Sequence, residues 1–91
     1  MNVEIEELIW DDFNVSHIAR HKVRVSEVEM ALEDKNIKFF NAHSSRFVAL
    51  GSAGKRLLSI IIATKDNNKF YVVTARDASK RERRFYLNEK S

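Results

Sequence analysis

Arg56-Leu57-Leu58-Ser59-Ile60-Ile61-Ile62-Ala63-Thr64 is the stretch that decides the fold. From Leu57 to Ile62 its residues are apolar at successive positions rather than at every second one. Both faces of the strand they form must therefore be covered, which places it in the middle of a sheet. Ser52-Ala53-Gly54-Lys55 precedes it and Lys65-Asp66-Asn67-Asn68 follows it, two turns that predict antiparallel hairpins on either side. The partners are strands over roughly Arg46 to Ser52 and Lys69 to Ala75, with another over Ile37 to Asn41.

Towards the N-terminus the period changes. Val3 to Trp10 mixes branched and acidic residues and reads as an edge strand. Asp11 is placed to cap a helix from about Asp12 to Lys22, with Val15 and Ile18 marking its apolar face. Ser26-Glu27-Val28-Glu29 has the spacing of a capping box, because the serine can accept from the amide of Glu29 while that glutamate reaches back. It predicts a second helix to about Asp34 that buries Val28, Ala31 and Leu32. Ser79 can cap a last helix. The order β-α-α-β-β-β-β-α gives an α+β fold, a mostly antiparallel sheet with helices packed on it. With 91 residues and no break in composition, residues 1–91 are expected to form a single domain.

The chain has no cysteine, which rules out disulfides and thiolate metal sites. Its start, Met1-Asn2-Val3-Glu4-Ile5-Glu6-Glu7, lacks the basic and apolar regions of a signal peptide, and the apolar run near Leu57 to Ala63 is too short to span a bilayer. A cytoplasmic protein without membrane contact is expected. The net charge of +3 is unevenly spread: four of the five residues from Lys80 to Arg84 are cationic, whereas Glu4, Glu6, Glu7, Asp11 and Asp12 make the start acidic. That asymmetry favours a polyanionic partner, although a basic helix face is also commonly just solvated.

The chemistry concentrates in Thr74-Ala75-Arg76-Asp77-Ala78-Ser79-Lys80-Arg81-Glu82-Arg83-Arg84-Phe85-Tyr86. Arg76 emerges at a strand end, while Glu82 and Tyr86 lie four apart on one helical face with Arg83 beside them. Metal-free phosphate chemistry needs a base to activate the attacking oxygen, cations for the charge on the phosphorane and an acid for the leaving oxygen. His21 and Glu82 are candidates for proton transfer; Arg76, Arg83 and Arg20 supply permanent charge. Tyr86 could orient a phosphate or give a proton, and Trp10 could offer a stacking face. Lys80, Arg81 and Arg84 form a surface for RNA or for a protein partner.

Each residue also has a plainer reading. Glu82 stands three after Ser79 and can complete a capping box; His21 closes a helix, where an imidazolium meets the dipole favourably. Tyr86, Phe85 and Trp10 can serve as packing residues. His17 and His21 have a zinc-compatible i,i+4 spacing, but no third ligand is placed to join them, so no metal is expected. With only Gly51 and Gly54 in the chain there is no phosphate-cradling glycine loop, and no cofactor is expected.

The pattern [Ser/Thr]-Ala-Arg-x-Ala-[Ser/Thr]-x-x-Glu-Arg-x-x-Tyr resembles the C-terminal signature of BrnT-type toxins, the ribonuclease members of bacterial type II toxin–antitoxin pairs. Trp10-Asp11 is similar to the family's N-terminal Trp-Asp, and Arg20-His21 to its Lys-His pair. Arg46-Phe47-Val48-Ala49-Leu50-Gly51 with Arg56-Leu57-Leu58 is similar to its central hairpin. The resemblance implies a RelE-like fold and an endoribonuclease that arrests translation. It also implies neutralisation by a ribbon-helix-helix antitoxin of the BrnA kind, with operator DNA bound only through that complex. Catalytic roles fall on His21, Arg76, Glu82, Arg83 and Tyr86, and RNA contacts on Trp10, Arg20, Lys80, Arg81 and Arg84. Lys22 stands where the family usually has glycine. Either Lys22 takes the left-handed conformation at some cost, or the helix ends without it; lysine in place of glycine favours the alternative of a non-catalytic RNA-binding or antitoxin-binding module of the same fold.

Overall fold

A computed structural model describes the backbone of residues 3–90 and the side chains of residues 3–88. In chain order the elements are β1 (Glu7–Ile9), α1 (Asp12–Arg20), α2 (Val25–Leu32), β2 (Lys38–Asn41), β3 (Arg46–Ala53), β4 (Arg56–Asp66), β5 (Lys69–Asp77) and α3 (Lys80–Lys90). The five strands form one sheet in the order β1-β5-β4-β3-β2. All neighbours are antiparallel except β1, which runs parallel to β5 with Glu7 opposite Lys69 and Ile9 opposite Tyr71.

β4 is the central strand, as its apolar run requires, and the alternation of its side chains separates two cores. Leu58, Ile60 and Ile62 join Ile18, Val28 and Ala31 in the main core, under α1 and α2. Leu57 points the other way and joins Leu50 and Tyr86 in a smaller cluster under α3. The hairpins close on Gly54 and Asn68, both left-handed (φ 66° and 56°), a conformation that glycine adopts freely and asparagine tolerates. At Gly51 a Cβ would lie 2.1 Å from the Ala31 carbonyl oxygen, so the missing side chain is what lets α2 sit directly on β3.

Three boundaries differ from expectation. The N-terminal strand is shorter than Val3 to Trp10, pairing only from Glu7 to Ile9. On α1 the inward positions are Asn14 and Ile18, whereas Val15 is 40% exposed. The cap sets this phase: Asp11 and Asn14 exchange backbone-to-side-chain bonds of 2.8 and 2.9 Å. The buried Asn14 amide then donates to the carbonyls of Ile9 and Val72, both at 3.0 Å, and so ties α1 to β1 and β5. A fully buried asparagine is stable here because its donors are used. Finally, α2 starts at Val25 and is not capped by Ser26. Glu27 accepts from the Arg24 backbone N–H at 2.9 Å, which moves the box two residues towards the N-terminus.

Among the described residues, no helix is long and apolar enough to cross a membrane.

Candidate functional site

Arg76 reaches the α3 face of the sheet because β5 is irregular. Strict alternation from the core-facing Val72 would turn Thr74 and Arg76 into the main core. A register shift instead pairs Ile61 with Thr74 and Ile62 with Val72, leaving Val73 as the extra residue of a bulge. Ala75 then faces the core, and Arg76 lies opposite Ser59 on the other face. Re-aiming one side chain is a common consequence of a β-bulge near a functional site.

On that face Glu82 gathers the donors. Its carboxylate accepts from Arg76 through Nη1 (3.0 Å) and Nη2 (3.3 Å), from Ser59 Oγ (3.1 Å) and from the Ser79 backbone N–H (2.9 Å). The Glu82 N–H donates in turn to Ser79 Oγ at 3.1 Å, so the expected capping box is present. Capping α3 and bracing Arg76 are thus one arrangement. Burial acts to raise the Glu82 pKa, but the Ser79 amide, Arg76 and Ser59 outweigh it and hold the carboxyl below its ordinary range.

The guanidinium of Arg76 is held end-on. Nη1 also donates to the Asp77 carbonyl at 2.9 Å. These bonds leave Nε–H and the second Nη2–H without a protein partner among the described residues, on a side chain 46% exposed. That is the edge with which arginine forks two oxygens of a phosphate.

His21 is brought to the same end of the sheet by Arg56, a residue the sequence placed in the central hairpin but not in the site. Arg56 Nε donates to Asp77 Oδ1 at 2.6 Å, and Nη1 donates to Glu27 at 3.1 Å and to the Lys22 carbonyl at 2.7 Å. Nη2 reaches the His21 carbonyl at 3.3 Å. The α1–α2 turn is thereby fastened beside Asp77, the chain neighbour of Arg76. Lys22 itself is left-handed, with φ 61°, so α1 ends as a glycine would end it, at a cost of about 1 kcal/mol. Arg83 completes the end of the sheet: with Arg56, which contributes most, its charge holds the Asp77 carboxyl low.

The other expected residues divide. Arg20, Lys80, Arg81 and Arg84 are exposed. The Tyr86 ring is buried against Leu50 and Leu57, and its hydroxyl donates to Asp34. That carboxylate, in the connection between α2 and β2, also accepts from the Ser52 N–H of β3 at 2.9 Å. Burial and Asp34 together push the phenol up to about 12. Its hydroxyl is thus engaged over β3, two strands or about 10 Å from Arg76 on β5. Trp10 packs on the main core, and its indole nitrogen is buried with no acceptor among the described residues. It follows Ile9, whose partner Tyr71 precedes Arg76 by five positions on β5, or roughly 16 Å. The structure joins Arg76 to Glu82 and, through Arg56 and Asp77, ties the backbone of His21 to the same end of the sheet, where Arg83 adds its charge; Trp10 and the Tyr86 hydroxyl lie away from that end. Among the described residues no three His, Asp or Glu side chains are grouped to hold a metal ion.

The molecule is thus a small α+β domain with a braced, half-exposed arginine at one end of its sheet. The family model described as "Ribonuclease toxin, BrnT, of type II toxin-antitoxin system" matches residues 10–82, and the chain belongs to that family. The matched span takes in Trp10, His21, Arg56, Arg76 and Glu82 and stops before Arg83 and Tyr86. The crystal structure of the Brucella abortus ribonuclease toxin, BrnT, is similar to this fold with a TM-score of 0.65 and 24% sequence identity, covering 81% of this chain and 97% of that one. No curated protein matches the sequence.

Proposed function

We propose that this chain is a metal-independent endoribonuclease toxin in which Arg76 holds the scissile phosphate and Glu82 fixes Arg76. The observation that carries the reading is the open Nε–Nη2 edge of a guanidinium whose other edge is occupied by Glu82. His21 is the residue for proton transfer. The 2′-oxygen loses its proton, attacks phosphorus, and the bond to the 5′-oxygen breaks as that oxygen takes up a proton; the products are a 2′,3′-cyclic phosphate and a 5′-hydroxyl. Arg76 and Arg83 stabilise the charge that builds on the phosphorane. Glu82 is poorly suited to act as the base, because a carboxyl held below its ordinary range takes a proton weakly near neutral pH.

Family membership supports RNA as substrate and an antitoxin as partner. We propose further that cleavage arrests translation in the cytoplasm, and that a BrnA-like ribbon-helix-helix antitoxin neutralises the toxin and carries the complex to operator DNA. The exposed cations Lys80, Arg81 and Arg84 on α3 suit either polyanion or antitoxin. The alternative of an inactive module draws on lysine in place of glycine at position 22; the left-handed Lys22, which ends α1 as glycine would, supports the active reading.

The test is cleavage of RNA in the presence of EDTA by the wild type, Arg76→Ala and Arg76→Lys. Both variants should lose most activity and keep the wild-type melting curve, because lysine restores charge without the fork. A fully active lysine variant would show that bidentate phosphate contact is wrong, and zinc-dependent recovery after EDTA would make His17 and His21 ligands instead.

A further inference from the structure

Three rings stand in a row along α1 and its C-cap, one per turn, on the flank next to the inward-facing Asn14 and Ile18. Phe13 and His17 are nearly parallel, with centroids 6.1 Å apart and planes at 19°. His17 and His21 follow at 5.6 Å, edge to face. Phe13 is 71% exposed, more than Met30 or Leu87, and has no place in either core. A shallow groove of about 230 Å³ runs beside the first two rings, lined by Asp12, Phe13, Ser16, His17 and Arg20.

We propose that this row is a base-stacking subsite for single-stranded RNA, with nucleobases next to the cleaved phosphate lying on Phe13 and His17. The inference rests on the ribonuclease reading, since the row ends at His21, the proton-transfer residue proposed above. The observations favour RNA over a protein occupant in two ways. The row ends at the α1–α2 turn, which Arg56 ties to Asp77, the chain neighbour of Arg76, and its cations, Arg20 and Lys22, lie at that end, where a backbone phosphate would follow. The ring spacing also selects the strand. At about 6 Å it exceeds the roughly 3.4 Å between stacked bases, so the RNA must be unstacked to follow it.

The experiment measures binding apart from cleavage, using a fluorescent RNA octanucleotide with 2′-fluoro sugars, which lacks the attacking hydroxyl. Phe13→Ala and Phe13→Leu should each weaken binding about tenfold, the size expected for one stacked base, whereas Phe13→Tyr should bind like wild type. All three should melt like wild type, because the ring is exposed. Equal binding by wild type and Phe13→Ala, no binding by the wild type, or restoration by leucine would overturn the subsite; restoration by leucine would mark a protein-docking surface. Cleavage of unmodified RNA is scored separately. Aromatic-dependent binding without cleavage would sink the ribonuclease reading and leave the subsite, while cleavage with Phe13-independent binding would sink the subsite alone.

Discussion

Ser59 and Arg76 lie directly opposite each other on β4 and β5, and their side chains converge on a single carboxylate from α3. The sheet thus supplies the cation and a hydroxyl, and α3 supplies the anion that orders both.

Glu82→Gln should separate bracing from capping. The amide oxygen still accepts from Ser79, so the melting temperature should fall by no more than a few degrees. Arg76 loses its ionic partner, and RNA cleavage should drop at least tenfold. Wild-type activity at wild-type stability would remove Glu82 from the site.

Acid should expose the same carboxylate in a stability profile. Glu82, Asp77 and Glu27 all have lowered pKa values: Glu82 through the donors that outweigh its burial, Asp77 chiefly through Arg56, and Glu27 chiefly through the Arg24 amide. In each case the folded state prefers the ionised form more than the unfolded chain does. The stabilisation is complete above the ordinary carboxylate values and is lost as pH falls through the depressed folded ones. Chemical denaturation from pH 7 to 2 should show a plateau and then a decline beginning below about 4.5, the ordinary value for glutamate. Glu82→Gln should decline less steeply, and an identical slope would count against the assigned ionisation.

Tyr86→Phe should cost stability rather than activity. The ring stays packed on Leu50 and Leu57, and the bond to Asp34 is lost. A loss of about 1.5–3 kcal/mol is expected for a hydrogen bond to a charged group, lowering the melting temperature by roughly 6–24 °C in a domain of this size. Undiminished stability together with lost cleavage would return the hydroxyl to the chemistry.

Arg56 is a positioning residue, acting on His21 and Asp77 without facing the phosphate. Arg56→Met keeps much of the apolar stem but releases the Lys22 and His21 carbonyls, and about 2 kcal/mol of stability should be lost. Measured well below its melting temperature, the variant should lose kcat more than KM and show an altered pH–rate profile, because the proton-transfer residue is no longer held. Unchanged kcat with a lower melting temperature would reduce Arg56 to a structural tie.

Where the sequence was readable, one signal dominated its neighbourhood. The run through Ile60 to Ile62 identified the central strand, and Ser79 with Glu82 identified the last cap. It misled where two local signals competed. Asn14 at the third helical position outcompeted Val15 for the inward phase of α1, and Glu27, drawn to Arg24 and Arg56, pre-empted the cap offered by Ser26. The parallel pairing of β1 and the bulge at Val73 left no local trace, since both depend on partners far along the chain. Arg56 was hidden for the same reason: nothing near it in sequence shows that its five donors converge on Glu27, Asp77 and two turn carbonyls.

The buried amide of Asn14 has a further consequence for how the molecule comes into being. It reaches Val72 across 58 positions of chain while also holding Ile9, and contacts of that span form late, after the loop between them has been closed against its entropy. Hairpins β3–β4 and β4–β5 can assemble locally, but His21 reaches the Arg76 end only once the N-terminal segment has docked. The Arg56 tie between the α1–α2 turn and the end of β5 is therefore completed only in the final cooperative step of folding.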